Sequence, residues 1–301
     1  MKLAECVDLA VVARGTPGYS GAELANVINE AALLAARRGL KGITLVELEE
    51  ARDKVRWGRE RRSLALSEKE KTNTAYHEAG HALLLELLPH TEPLHKVTII
   101  PRGPSLGSTM WLPEEDKYTN RKNELLAGLA VSMGGRVAEE IVFGDITNGA
   151  RGDIKMATAI ARRMVCEWGM SEKMGMVEYG DHEDYVFLGR DISRARDYSE
   201  ATAEQIDQEV KKLLDDAYQL AKKTLLANRD KLEVIAKALL EFETLDGSQL
   251  KEIVEHGRLI NPPSTTPPPG PKMPAEKPPK QVVAAPDVTP PLPGALGGAP
   301  A

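Results

Sequence analysis

The sequence predicts a mainly α-helical protein carrying a small β-hairpin or sheet. Three observations point there. Ala, Leu and Glu are plentiful while aromatic residues make up only 4% of the 301 positions, a balance that favours helix over sheet. Apolar residues recur at helical spacing through most of the chain. Strand-like runs are confined to "KVTIIPRG" and "LGSTMWL", two short segments around a Pro/Gly turn. A hydrophobic content of 42% is enough to build a proper core.

Three regions separate by composition. In residues 1–62, "TPGYSGAELANVINEAALLAARRG" begins with turn residues, offers Ser20 as an N-cap and is closed by Gly39. Thr44 caps a second helix, "LVELEEARDKVRWG". Two antiparallel helices of this length cannot bury both faces alone, so the region is expected to pack against something else. Residues 63–258 open on a capping box, Ser67 with Glu70, and the helix it starts stops at Pro89. The two strands are expected at Val97–Ile100 and Leu106–Leu112. From Thr119 nearly to Gly257 the pattern is helical, broken by the loops around "FGDITNGARGD" and "VEYGDHEDYVFLGRD". Residues 259–301 hold 14 of the 20 prolines. This segment has little to bury and is expected to be a passive, disordered or polyproline-like tail, with PxxP recognition as the alternative.

A net charge of −6 without a basic stripe argues against a nucleic-acid partner. Cys6 and Cys166 lie far apart with no CxxC spacing, which reads as free thiols in a reducing compartment, Cys166 being a packing residue. No apolar stretch approaches a membrane span and no secretory signal opens the chain, so the expected location is the cytoplasm.

The chemistry gathers at "HEAGH". On a helix, residues four apart stand one above the other, so His77 and His81 present two imidazoles on one face at a spacing suited to one tetrahedral Zn2+. Glu78, a quarter-turn away, can act as a general base towards a water activated there. Gly80 costs roughly 1 kcal/mol against alanine inside a helix, which signals the close approach of a neighbour. A catalytic zinc needs a third protein ligand. A third histidine six residues beyond His81 is absent, because position 87 is Leu87. Candidates are His90, His95, His182, His256, Glu139, Glu140 and Asp153. Asp153 follows a glycine-rich loop and reads on its own as an N-cap. Of Glu139 and Glu140, one is a candidate ligand or a partner that orients an imidazole N–H.

Taken together, "TAYHEAGHALL", "KVTIIPRG", "GGRVAEEIVFG", "GDIKMATAIARRMV" and "EWGMS" resemble the peptidase domain of the FtsH family, membrane-bound AAA+ zinc metalloproteases. "ARGTPGYSGAELANVINEAALLAARR" resembles the helical lid of that family's ATPase module. The likeness runs from about Val7 to Glu255. It implies a helical AAA+ lid subdomain followed by a zincin-type peptidase domain, with His77, His81 and Asp153 as ligands of one Zn2+ and Glu78 as catalytic base. Glu139 then supports a ligand from behind, and Val97, Thr98, Ile99 and Ile100 form an edge strand that receives extended substrate. Arg151 and Gly152 stand before Asp153, where the family usually has a polar pair.

The implied function is a metalloendopeptidase that degrades unfolded or membrane proteins; the alternative is a catalytically silent, ring-forming subunit that binds substrate or regulates. The implied assembly is a homo-hexamer at the cytoplasmic face of the inner membrane. With no GxxxxGK[ST] loop in the chain, no residue is assigned to nucleotide binding, and ATP would act through an AAA+ ATPase core supplied in cis or in trans.

Overall fold

A computed structural model describes residues 2–5, 7–61, 64, 66–113, 117, 119–180 and 198–263. Cys6, His182 and most of the Pro-rich tail lie outside these residues.

The chain starts with strand β1 (Lys2–Leu3) and helix α1 (Leu9–Arg14), followed by α2 (Gly21–Arg37), β2 (Gly42–Ile43) and α3 (Leu45–Trp57). Ser20 and Glu23 close a reciprocal capping box at the start of α2, and Glu47 accepts the Thr44 N–H at the start of α3, 3.1 Å away. Such caps satisfy backbone donors that a helix start leaves unpaired. Val27, Ala31, Ala35, Ile43, Leu48 and Ala51 form a small core of their own. Neither β1 nor α1 was expected from the sequence, since two and six residues are too few to express a period.

The larger body consists of α4 (Glu68–Leu87), β3 (Leu94–Thr98), β4 (Ser108–Trp111), α5 (Lys122–Phe143), α6 (Arg151–Cys166), α7 (Glu200–Ala227), α8 (Arg229–Phe242), β5 (Thr244–Asp246) and α9 (Gly247–His256). Helix α4 is its axis. The Ser67/Glu70 box starts it, and its apolar second half, including the fully buried Leu83 and Leu84, sits in a core shared with α5, α7 and α8. Cys166 is buried in the same core. Where α4 crosses α5, Gly80 faces Gly134: a methyl group on Gly80 would fall 2.4 Å from the Gly134 carbonyl oxygen. This is the neighbour that a glycine inside an apolar helix announces. Among the described residues, no helix is long and apolar enough to cross a membrane.

Three expectations need correction. The sheet order is β4-β3-β5, so β3 is a central strand rather than an edge. Val97 pairs with Thr109 on one side and Leu245 on the other. The cause is β5, three residues between two helices whose brevity hides them in a helical pattern. Strand β3 also ends at Thr98, leaving Ile99 and Ile100 beyond it, and β4 is shorter than Leu106–Leu112. Finally, Asp153 is not an N-cap. Ala150 holds that position and Asp153 lies in the first turn of α6, because the 3-10 turn Asn148–Ala150 starts the coil earlier.

The first region leans on the second through β3. The Asp53 carboxylate pairs with Lys96, and Glu49 lies 3.2 Å from the His95 Nε2. The Arg61 N–H donates to the Pro101 carbonyl at 2.8 Å. His95 is thereby occupied at this seam, away from the histidine pair on α4.

Candidate metal centre

Each candidate side chain comes from a well-anchored element. His77 and His81 stand one turn apart on α4, their Nε2 atoms 3.1 Å from one another. Both Nδ1 atoms are engaged from α5. The Nδ1–H of His77 donates to Glu139 Oε1 at 2.8 Å, and that of His81 donates to the Val131 carbonyl at 2.7 Å. This choice of tautomer follows from the partners, since a carbonyl and a carboxylate can only accept. It turns both Nε2 lone pairs towards the same point.

Asp153, in the first turn of α6, completes the group. Its Oδ2 is 3.3 Å from His77 Nε2 and 3.6 Å from His81 Nε2. Four ligands held tetrahedrally at zinc–nitrogen bond lengths stand roughly 3.3 Å apart, so the three donors have the spacing of one face of such a tetrahedron. Two imidazole lone pairs this close to each other and to a carboxylate repel unless a cation lies among them. The donor set therefore fits one zinc-sized cation. Among the described residues this is the one cluster of three His, Cys, Asp or Glu donors that could hold a metal ion.

The electrostatics carry the same signature. Burial opposes charge on His77, but the hydrogen bonds it donates to Asp153 and Glu139 outweigh it and push its pKa up to about 10. Burial works against the Asp153 carboxylate too, yet the two histidines hold it well below the usual range.

Glu139 is buried and makes three bonds that fix it behind His77: it accepts the Nδ1–H, the Thr147 N–H at 2.8 Å and the Thr147 hydroxyl at 3.2 Å. Its neighbour Glu140 faces elsewhere and pairs with Lys222 and Tyr218 on α7. Gly135, one turn earlier on α5, leaves room for the His77 ring: a methyl group there would stand 2.4 Å from it. His90, in the turn after α4, lines the same cleft without joining the cluster, and His256 lies at the end of α9.

Glu78 is buried, and burial raises its pKa against the pull of the two histidines and of Thr109. Its Oε2 accepts the Thr109 hydroxyl at 2.7 Å. The site opens into a cleft of about 1290 Å³ lined by residues of β4 and, among others, by Leu125, Val131, Met156 and Ile160. The outer edge of β4 pairs with no other strand among the described residues. Gly107, Thr109 and Gly135 were not singled out from sequence. Gly135 was legible in principle, as a second glycine within a long helix facing the one that carries the histidines.

Comparison with known proteins agrees with this geometry. A family model described as peptidase family M41 matches residues 64–253, and one described as an AAA+ lid domain matches residues 6–50. The ATP-dependent zinc metalloprotease FtsH of Akkermansia muciniphila is 60% identical over 280 residues, 92% of this chain and 34% of that protein. FtsH 2 of Methylacidiphilum infernorum, also named an ATP-dependent zinc metalloprotease, is 61% identical over 264 residues, 88% of this chain and 41% of its own length. The relative of that name in Rubrobacter xylanophilus is 51% identical over 262 residues, 87% of this chain and 40% of its own. The chain thus spans less than half the length of each of these relatives.

Proposed function

The chain belongs to peptidase family M41, and from that membership we propose that it is a zinc metalloendopeptidase, ATP-dependent when joined to an ATPase core. One observation carries the reading: the convergence of His77 Nε2, His81 Nε2 and Asp153 Oδ2 beside the buried carboxylate of Glu78. These three would hold Zn2+, which, when bound, acidifies a water and polarises the scissile carbonyl.

The chain's own residues do the rest. Glu139 and the Val131 carbonyl keep both imidazoles in the tautomer that binds metal through Nε2. Glu78 Oε1, the oxygen left free by Thr109, takes the proton of the attacking water and returns it to the departing amine. A raised pKa suits that exchange, because the carboxyl must hold the proton between the two transfers. Substrate lies extended along the outer edge of β4, adding a strand through its backbone, so sequence demands are low. This moves the expected docking edge from Val97–Ile100 to Ser108–Trp111.

In the same reading, residues 1–62 are the lid of an AAA+ module, 63–258 the peptidase and 259–301 a tail. The AAA+ lid match supports a ring assembly and protein substrates. We take the assembly to be a homo-hexamer at the cytoplasmic face of the inner membrane, its substrates unfolded or membrane proteins, and the ATPase core present in cis or in trans. No observation favours a catalytically silent subunit.

The test measures zinc content and cleavage of an unfolded protein. Glu78→Gln should keep one zinc per chain and lose cleavage, while Asp153→Ala should lose most of its zinc. Robust cleavage by Glu78→Gln would overturn the mechanism, and full zinc in Asp153→Ala would remove that residue from the ligand set.

A further inference from the structure

Strand β4 does more than offer an edge. The Thr109 hydroxyl donates to Glu78 Oε2 at 2.7 Å and lies 3.4 Å from the Glu78 carbonyl oxygen. Two residues earlier the strand's approach presses on the same side chain: a methyl group on Gly107 would stand 2.8 Å from both Cγ and Oε1 of Glu78. Thr109 also pairs across the sheet with Val97, which is fully buried, so the hydroxyl is mounted on a supported strand rather than a loose loop. Around Glu78 the helix supplies the carboxylate and the strand decides where it points.

We propose that Thr109 is a positioning residue for the catalytic base, with Gly107 as the clearance that lets Thr109 reach it. The inference rests on Glu78 acting as proposed above. One carboxylate oxygen is tied to the hydroxyl, which leaves Oε1 as the oxygen that meets the proton and limits rotation of the carboxylate about its last bond. The strand that fixes Oε2 is also the one whose outer edge is open to an extended peptide. A peptide seated on β4 stiffens the element that aims the base, so occupancy of the edge and alignment of the carboxylate are coupled through one side chain. A threonine methyl without the hydroxyl fills the same space and loses only the tether.

The experiment compares Thr109→Val, Thr109→Ser and Gly107→Ala with the wild-type chain on one unstructured fluorogenic peptide. Loss of a hydrogen bond to a charged group predicts kcat about 10- to 100-fold lower for T109V, with KM within about twofold because the strand itself is unchanged. T109S restores kcat to within about threefold, since its hydroxyl reaches the same oxygen. G107A lowers kcat as well, by displacing the carboxylate it touches, and wild-type kcat in G107A would overturn the clearance role of Gly107. Zinc content and the affinity of the metal-free chain for the peptide remain at wild-type values in T109V and T109S. Wild-type kcat in T109V alongside an inactive Glu78→Gln would overturn the role of Thr109 and leave the peptidase assignment standing. Failure of T109S to recover would overturn it too, by showing that the residue's shape rather than its hydroxyl matters. Activity in Glu78→Gln itself would instead sink the underlying mechanism.

Discussion

Replacing Gly135 by alanine addresses the metal site without touching a donor. Gly135 lies on α5 under the His77 ring, and the added methyl would stand 2.4 Å from both Cε1 and Nε2 and 2.6 Å from Cδ2. Ordinary contact between such atoms begins near 3.5 Å, so the ring must retreat by about 1 Å. Zinc–ligand distances tolerate about 0.2 Å. The backbone cannot yield instead, because α5 and α4 already touch at Gly134 and Gly80. His77 therefore leaves the position from which its Nε2 meets His81 Nε2 and Asp153 Oδ2. Disturbing a supporting partner of a ligand alone costs 10- to 100-fold in metal affinity, so displacing the ligand itself should cost at least about 100-fold. Competition with a chromophoric chelator measures this directly. Gly128→Ala on the same helix is the control, since a methyl group there meets no atom within 4 Å. An affinity for zinc within threefold of wild type in G135A, with helix content intact, would refute the reasoning.

Two further perturbations test the frame and its electrostatics. Gly80→Ala pushes a methyl into the Gly134 carbonyl and the Ala138 side chain. It should lower stability by about 1–3 kcal/mol in urea unfolding, despite the roughly 1 kcal/mol that alanine gains over glycine in a helix; unchanged or higher stability would contradict the close crossing. In the metal-free chain the His77 pKa is raised from 6.5 to about 10, the bonds to Asp153 and Glu139 outweighing its burial. That protonation stabilises the metal-free fold fully below pH 6.5 and is lost as pH rises through about 10. Zinc competes with the same proton, so the gap in Tm between zinc-loaded and metal-free protein should widen across that window; a constant gap would argue that His77 is not where the metal binds.

The helix that carries the histidines was readable because local signals agree there. A capping box starts it, an apolar run follows, and the two imidazoles share a face by spacing alone. The third donor was different in kind. Asp153 meets the histidines only because α5 and a 3-10 turn deliver the start of α6 to them, a tertiary fact with no local trace, and only the family resemblance pointed to it. Taken by itself it looked like a cap, a role that the early start of α6 gives to Ala150. The sheet misled for a related reason. "KVTIIPRG" was correctly extended in part, but whether a strand is central or an edge depends on who joins it, and β5 is too brief to be seen between α8 and α9. Glu139 was visible only as one of two adjacent acids in a helical run, singled out by the family resemblance, whereas the clearance roles of Gly107 and Gly135 depend on what lies opposite them in space.

The glycine contact between α4 and α5 also bears on the order in which the centre is assembled. Both imidazoles are already aimed by bonds to α5, and the two helices are drawn together by the burial of their aliphatic faces. A zinc ion at this site would then meet a socket already aimed by the helices rather than organise the fold itself. Stripping zinc from the loaded chain with a chelator is expected to leave its helix content unchanged, and reloading to need only diffusion into the cleft.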